Sequence, residues 1–379
     1  MGWVMGIRLF LTLYMAAVAF YVQRPDLWEH YAPVGVKLFD SGWERLFLGV
    51  WQREDALWYQ KIATVGYSSQ DMTPQLFPLY PLLIRLLSWA SGLHPIAAGL
   101  VISDLALVIA FFLLHRLLLP RFGLGVANRA LMYLSIFPTA FFLHGPFSES
   151  LMLLLAVLGF YLVSRHRWAE ALVVGYLAGL ARPQGMLLGI PLAVQWLVGE
   201  RAHLEWKGFQ RNWSVVLIGA VMVAVPLLGL ATFQLSVDTP WDHPGASGGT
   251  GPMAVQWLAL PGTDILLAAQ RILAGKAYHV DVFNFLLAAV FPLLAAAGIG
   301  RLQVGHSIYV LLFLLAPLSR ASPYLPLMSF SRFVLLLFPC FAVLAIWGER
   351  RWVHLALILG SLLLLLYWSA VFSYGVFVA

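Results

Sequence analysis

Charge is what this sequence has least of. Only 11% of its 379 residues are Asp, Glu, Lys or Arg, against 61% that are hydrophobic. A soluble domain averages roughly 25% charged residues, so a soluble protein is excluded at once. The one cysteine, Cys340, sits in an apolar run and excludes a disulfide framework and a thiolate metal site; it reads as a small core or lipid-facing residue. No Walker or GxGxxG segment occurs, which argues against a cytosolic nucleotide substrate. His144 and His243 stand apart from any HxxxH or Asp-rich spacing, so no cofactor is indicated and no metal is assigned, although a divalent ion on Glu54 and Asp55 stays open. Heptads, low-complexity stretches and repeats of about 20–50 residues are absent. The net charge of +6 calls for no nucleic acid, because a membrane protein's basic inner loops account for it.

What is abundant is long apolar sequence. Runs at 3–22, 95–118, 129–144, 148–164, 168–181, 184–199, 213–234, 282–300, 305–318, 332–347 and 352–372 approach a bilayer crossing of about 20 residues. Fifteen tryptophans and fourteen tyrosines suit belts at the two membrane surfaces. The expected fold is an all-α polytopic membrane protein, one domain over 1–379 with about eleven transmembrane helices. A first outer loop at 23–94 carries interfacial helices, and a second lies at 235–281.

Segment 77–91, FPLYPLLIRLLSWAS, begins with two prolines and carries Arg85 in its middle, so it is expected to lie along the surface. The charges then sort. Twelve Lys and Arg, among them Arg8, Arg116, Arg121, Arg129 and Arg165, share one side with four acids on short connections. The other eleven accompany thirteen acids on two long loops. Short basic loops face the cytoplasm, which places the N-terminus inside and the C-terminus outside. Ala17-Val-Ala19 resembles a cleavage site, but the long apolar run behind a single Arg favours an uncleaved anchor.

With this orientation the polar motifs gather on the outer side. They are Trp51-Gln-Arg-Glu-Asp-Ala-Leu-Trp-Tyr59, Phe77-Pro-Leu-Tyr-Pro81, His144-Gly-Pro-Phe-Ser-Glu-Ser150, Ala181-Arg-Pro-Gln-Gly185, the Trp241-Asp-His-Pro loop and Ser329-Phe-Ser-Arg332. Asp104 sits two turns into the second span from that side. Pro and Gly at helix ends free backbone groups, which a membrane tolerates only beside protein or a wet cavity. Ionisable groups near membrane depth are costly and are functional candidates by default. Each also has a plainer explanation. Asp55 can be a solvated loop charge or a helix N-cap, and Glu54 its solvated neighbour. Asp104 can bond an adjacent helix, and Glu149 can be a first-turn acid at a positive helix end. Arg182 and Arg332 can cap carbonyls or anchor at lipid phosphate.

Together the motifs resemble the PIG-V-like mannosyltransferases, polyprenyl-phosphate-sugar-dependent transferases of the GT-C fold. The family's first-loop signature, approximately (R/H)WDAxWYxxIAxxGY followed by FFPLYP, is matched by Arg53-Glu-Asp-Ala-Leu-Trp-Tyr-Gln-Lys-Ile-Ala-Thr-Val-Gly-Tyr67 and Leu76-Phe-Pro-Leu-Tyr-Pro81. The later blocks Phe137–Leu151, Leu180–Gly185 and Ser331–Pro339 are similar too. One departure stands out: the family's Trp before the Asp is Glu54 here.

The resemblance implies a GT-C-type bundle, a polyprenyl-phosphate sugar donor and transfer of a hexose, mannose first, to an acceptor hydroxyl with inversion. Asp55 carries over as general base, with Glu54 beside it. A base has to come within about 2.6–3.2 Å of the proton it takes. Arg182 and Arg332 are the expected partners of the phosphate leaving group, since guanidinium matches phosphate bidentately. Glu149 and Asp104 are assigned to acceptor hydroxyls or to orienting the arginines. Tyr59, Tyr80, His144 and Gln184 complete the expected substrate-binding set, and an apolar groove beside FPLYP is the expected seat of the polyprenol. The acceptor is a lipid, a glycan or a protein; membrane lipids are the other partners. The expected location is a bacterial plasma membrane with the site on its outer face. A polyprenyl-linked sugar transporter or flippase, and a GT-C transferase of another sugar, are the alternatives.

Overall fold

A computed structural model describes residues 2–21, 35–39, 41–69, 71–201, 213–236 and 257–378. The Trp241-Asp-His-Pro segment, with His243, lies outside the described residues.

Helix α1 (Gly2–Tyr21) is followed by the first loop, with α2 (Gly42–Phe47), α3 (Asp55–Thr64) and α4 (Leu79–Ser91). The thirteen residues of α4 make about 20 Å of helix, short of a bilayer core. The helix ends at left-handed Gly92, while Leu82, Leu86 and Trp89 stay exposed. The run α5 (Pro95–Ser135) starts with Pro in its first turn and breaks where Gly123 takes φ 77 just after Pro120. Next come α6 (Phe141–His144), α7 (Glu149–Ser164), α8 (Trp168–Ala181), α9 (Gly189–Arg201) and α10 (Trp213–Ser236). The C-terminal third holds α11 (Thr263–Leu273), α12 (His279–Gly298), α13 (Val304–Leu318), α14 (Phe330–Phe333), α15 (Phe338–Trp347) and α16 (Arg351–Ser373).

The protein is all-α and polytopic. The strands among the described residues are β1 (Trp257–Leu258) and β2 (Arg320–Ala321), an antiparallel pair with Leu258 opposite Arg320. Among the described residues five helices are long and apolar enough to cross a membrane, six if the bent pair Phe330–Leu336 and Phe338–Trp347 counts as one span. That pair turns through 80° at Leu337, where Pro339 restarts the helix. Helices α7, α8 and α13 are apolar but shorter. The expected number of eleven therefore exceeds what length and composition select among the described residues. One reason is that the anticipated spans 95–118 and 129–144 join into the broken run α5, whose continuation past Ser135 is a turn and the four-residue α6.

The main apolar core runs from Val4 to Val378, and a smaller one joins Phe77, Leu230 and Phe233. Helix α7 packs between α5 and α8, and α8 lies against α10. That last contact is close because Gly179 carries no Cβ: one added there would collide with the Pro226 carbonyl oxygen. A correction concerns Arg8. It is not a residue of a short basic connection; it lies inside α1, 9% exposed, and pairs with Asp104 at 3.0 Å. A positive charge flanked by apolar sequence reads as a loop anchor until its partner, 96 residues away, is known.

Candidate active site

Four chain segments deliver the central charges. Asp55 is the first residue of α3, Glu149 the first of α7, Arg182 follows the last residue of α8, and Arg332 lies in α14. Three of them lie near a Pro or Gly that interrupts a helix: Gly145-Pro146 before Glu149, Pro183 directly after Arg182, and Pro339 seven residues beyond Arg332.

Arg332 is the hub. Its side chain is 3% exposed and its Nη2 donates to Asp55 Oδ2 at 2.7 Å. Its Nε donates to Glu149 Oε1 at 2.7 Å, and Glu54 Oε2 stands 3.8 Å from Nη1. The guanidinium lies over the rings of Phe142 at 4.7 Å and Phe147 at 5.2 Å, which shield it from water. Its turn is fixed in place by Asn284 Oδ1, which accepts from Ser331 N at 3.0 Å, and by Thr139 Oγ1, which donates to Ser331 O at 2.8 Å. Ser329 opens this turn in the left-handed region at φ 63.

Glu149 is fully buried and is shared by two cations. Arg182 Nη1 reaches Oε1 at 2.7 Å and also donates to Ser148 Oγ at 3.2 Å. Tyr59 donates to the same Ser148 Oγ at 2.9 Å, tying α3 to the start of α7. Burial, above all, raises the Tyr59 phenol beyond its ordinary range, so it stays a donor. The segment before Glu149 is tightly held: a Cβ on Gly145 would stand 2.6 Å from the Phe147 ring and 2.8 Å from Trp51.

Asp55 differs from its neighbours in being 33% exposed, and its Oδ1 has no partner among the described residues. Asp55 is not the N-cap of its helix. That position belongs to Glu54, which makes no capping bond and holds φ 48, a costly conformation for a side chain with a Cβ. Strain of this kind is found where surrounding contacts over-determine the backbone. Here those are Arg53 Nη1 to Phe372 O at 2.5 Å, and Gln52 bonded to Phe39 N at 2.7 Å and to Gln60 at 2.9 Å. Glu54 accepts from Val378 N at 3.3 Å. Burial pushes its carboxyl up to about 8, against the opposing pull of Arg332 and with a further push from Asp55. At neutral pH Glu54 is therefore mostly protonated. Glu54 thus adds little charge beside Asp55.

The remaining predicted residues divide. Asp104 and His144 form a separate group with Arg8: Asp104 receives Arg8 Nε at 3.0 Å and faces His144 Nδ1 at 3.3 Å. Tyr80 is fully buried and donates to Gly99 O at 2.9 Å, with Ser103 Oγ at 2.7 Å. It packs edge-on against Tyr59 at 5.0 Å, so it supports the site from behind. Gln184 is buried in the 3-10 turn after Arg182, its Oε1 unpartnered among the described residues. Phe77 of FPLYP packs on Phe233 of α10 at 5.0 Å. Cys340 is buried in α15. The acids converge on guanidinium groups, and no group of three or more His, Cys, Asp or Glu among the described residues has metal-holding geometry.

A family profile described as mannosyltransferase (PIG-V) matches residues 6–235, more than half of the chain. The chain belongs to the PIG-V mannosyltransferase family. It is accordingly a membrane mannosyltransferase, an enzyme of the glycosyltransferase class. No curated protein matches it at a significant level. The matched stretch of this mannosyltransferase contains Asp55, Glu149 and Arg182, while Arg332 lies beyond it and is brought back by the fold.

Two residues around this charged cluster of the mannosyltransferase went unnoticed in the sequence. Ser148, inside the quoted Ser-Glu-Ser motif, joins Tyr59 to Arg182. Arg320, on β2, lies within electrostatic reach of Arg182 and has no carboxylate partner among the described residues. Its only signal in the sequence was its place on the same connection as Arg332, twelve residues earlier.

Proposed function

We propose that this mannosyltransferase moves mannose from a polyprenyl-phosphate donor to an acceptor hydroxyl on the outer membrane face, with inversion. The observation that carries this reading is the Oδ1 of a partly exposed Asp55, unpartnered among the described residues, whose other oxygen is fixed by Arg332. A carboxylate held in this way presents a base without having to reorganise. It removes the proton of the acceptor hydroxyl as that oxygen bonds to the anomeric carbon. The bond from that carbon to phosphate oxygen breaks, polyprenyl phosphate leaves with the electron pair, and the proton remains on Asp55. A single displacement from the opposite side inverts the centre.

Charge balance supports the phosphate's position. Asp55 and Glu149 are offset by Arg332 and Arg182, Glu54 is mostly neutral, and Arg320 has no carboxylate partner among the described residues. In this reading Arg182 and Arg320 take the phosphate, and Arg332, expected at the phosphate too, holds the two carboxylates. The residues at Phe77 and Phe233 offer an apolar surface for the polyprenol. Residues 1–379 act as one integral-membrane domain, and the acceptor is a lipid, glycan or protein.

The test is to supply purified protein in a bilayer with polyprenyl-phosphate-[³H]mannose and a membrane extract as acceptor source. A labelled product whose anomeric configuration is opposite to the donor's supports the reading. Retention of configuration removes the single displacement. Movement of intact donor between leaflets, without any product, favours a flippase instead.

A further inference from the structure

The opposite end of α7 carries a second set of cations that the transfer reaction does not use. Glu149 and Ser164 bound the helix, so this end is about 22 Å from the acid cluster at 1.5 Å per residue. There a cavity of about 560 Å³ is lined by Arg116, Arg121, Arg165, Tyr161, Gln303 and His306, with apolar side chains between them. That volume lies within the range of small-molecule sites, about 300–1,000 Å³.

Arg116, Arg121 and Arg165 have no carboxylate partner among the described residues, although Arg129 and Arg167 nearby in sequence pair with Glu349 and Glu170. Acids are thus present at this end of the molecule but are spent on other arginines. The three guanidiniums are held by rings and carbonyls: Arg116 lies over Phe112 at 4.9 Å, Arg165 over Tyr161 at 5.3 Å, and Arg121 Nε donates to Arg301 O at 2.9 Å. Tyr161 faces both Arg116 and Arg165. The chain at Arg121 is shaped by Pro120 and by the break at Gly123, which interrupt α5 beside the cavity.

A second, independent observation is His306. It is 8% exposed, stacks on Phe160 at 4.3 Å, lines the cavity, and its Nε2 has no hydrogen-bond partner among the described residues. A buried ring nitrogen left unpaired costs free energy unless a ligand or water meets it. Arg121 is its charged neighbour.

We infer that this cavity binds an anionic phosphate group, held by Arg116, Arg121 and Arg165 and met by His306. One carboxylate is satisfied by one guanidinium. Three guanidiniums around one space, each with a fork of N–H donors, suit a tetrahedral anion with several acceptor oxygens. The anion is the head of an acidic phospholipid or a free phosphate.

The experiment uses the full chain in neutral maltoside detergent and follows thermal unfolding against three probes: dioctanoyl phosphatidylglycerol, dioctanoyl phosphatidylcholine and inorganic phosphate. Saturable stabilisation by phosphatidylglycerol, with none by phosphatidylcholine, is the expected result and identifies a lipid-borne phosphate. Saturable stabilisation by inorganic phosphate supports the same site with a soluble source. In Arg121→Gln/Arg165→Gln the half-saturating concentration should rise at least about tenfold, a loss of about 1.4 kcal/mol. Arg165 is exposed, so Arg165→Gln alone serves if the double variant fails to fold. His306→Phe, which keeps the stacking and removes Nε2, should weaken binding severalfold. The inference is overturned if neither anion stabilises the wild-type protein, or if the arginine variants respond as the wild type does.

Discussion

Arg332 holds Asp55 by one carboxylate oxygen, Nη2 to Oδ2 at 2.7 Å, and leaves the other oxygen without a partner among the described residues. The contact joins residues 277 positions apart and lies between a buried guanidinium and a partly exposed acid. Asp55 is thus fixed in direction and still open on the side from which a hydroxyl can approach.

Asp55→Asn should keep the bond to Arg332 through its amide oxygen and lose the base. Turnover is expected to fall about 10²–10⁴-fold, the usual contribution of a general base, with the donor KM changed only a few-fold. Initial rates with labelled donor measure this; near-normal turnover would remove Asp55 from the reaction.

Arg332→Met should be costly for the fold itself. It strips the shared cation from Asp55 and Glu149, and breaking a buried pair costs about 3–5 kcal/mol. Unfolding in detergent should show the loss even without substrate. A variant as stable as the wild type would mean that Arg182 alone neutralises Glu149.

Arg320→Gln should do the reverse. With no carboxylate partner among the described residues, Arg320 contributes little to folding, so the unfolding midpoint should not move. Loss of a charged hydrogen bond to phosphate, about 1.5–3 kcal/mol, should raise the donor KM about tenfold or more. If KM is unchanged, the phosphate sits elsewhere.

Glu54 makes stability depend on pH. Its folded-state carboxyl is raised to about 8, largely by burial, from an ordinary value near 4.5. The unfolded state therefore loses its proton first as pH rises. The stability this group contributes is complete below pH ~4.5, falls between ~4.5 and ~8, and is gone above that. Glu54→Gln should flatten this part of the profile and match the wild type near pH 5. A wild-type profile that rises from pH 5 to 8, with Glu54→Gln parallel to it, would contradict the assignment.

Much of this protein could be read along the chain. Apolar runs and scarce charge give a membrane bundle because a bilayer core rewards helices about 20 residues long with few ions. The blocks around Asp55, Ser148-Glu149 and Arg182 were visible because charges stand out in an apolar sequence, those of the last two beside Pro or Gly at helix ends. Partners were not visible. Whether Arg332 meets phosphate or carboxylate depends on the approach of α3, α7 and α14, and no spacing encodes it. Arg8 looked like a loop cation until α1 was set against Asp104, and Arg320 looked ordinary until the fold left it alone beside Arg182. Glu54 shows the difference most clearly. In the sequence it is a second carboxylate beside Asp55; in the folded chain, burial holds it mostly neutral. Composition and local pattern determine which residues are ionisable and which helices enter the membrane. Tertiary packing decides their charge and their partners, because both depend on desolvation and on charges brought from distant parts of the chain.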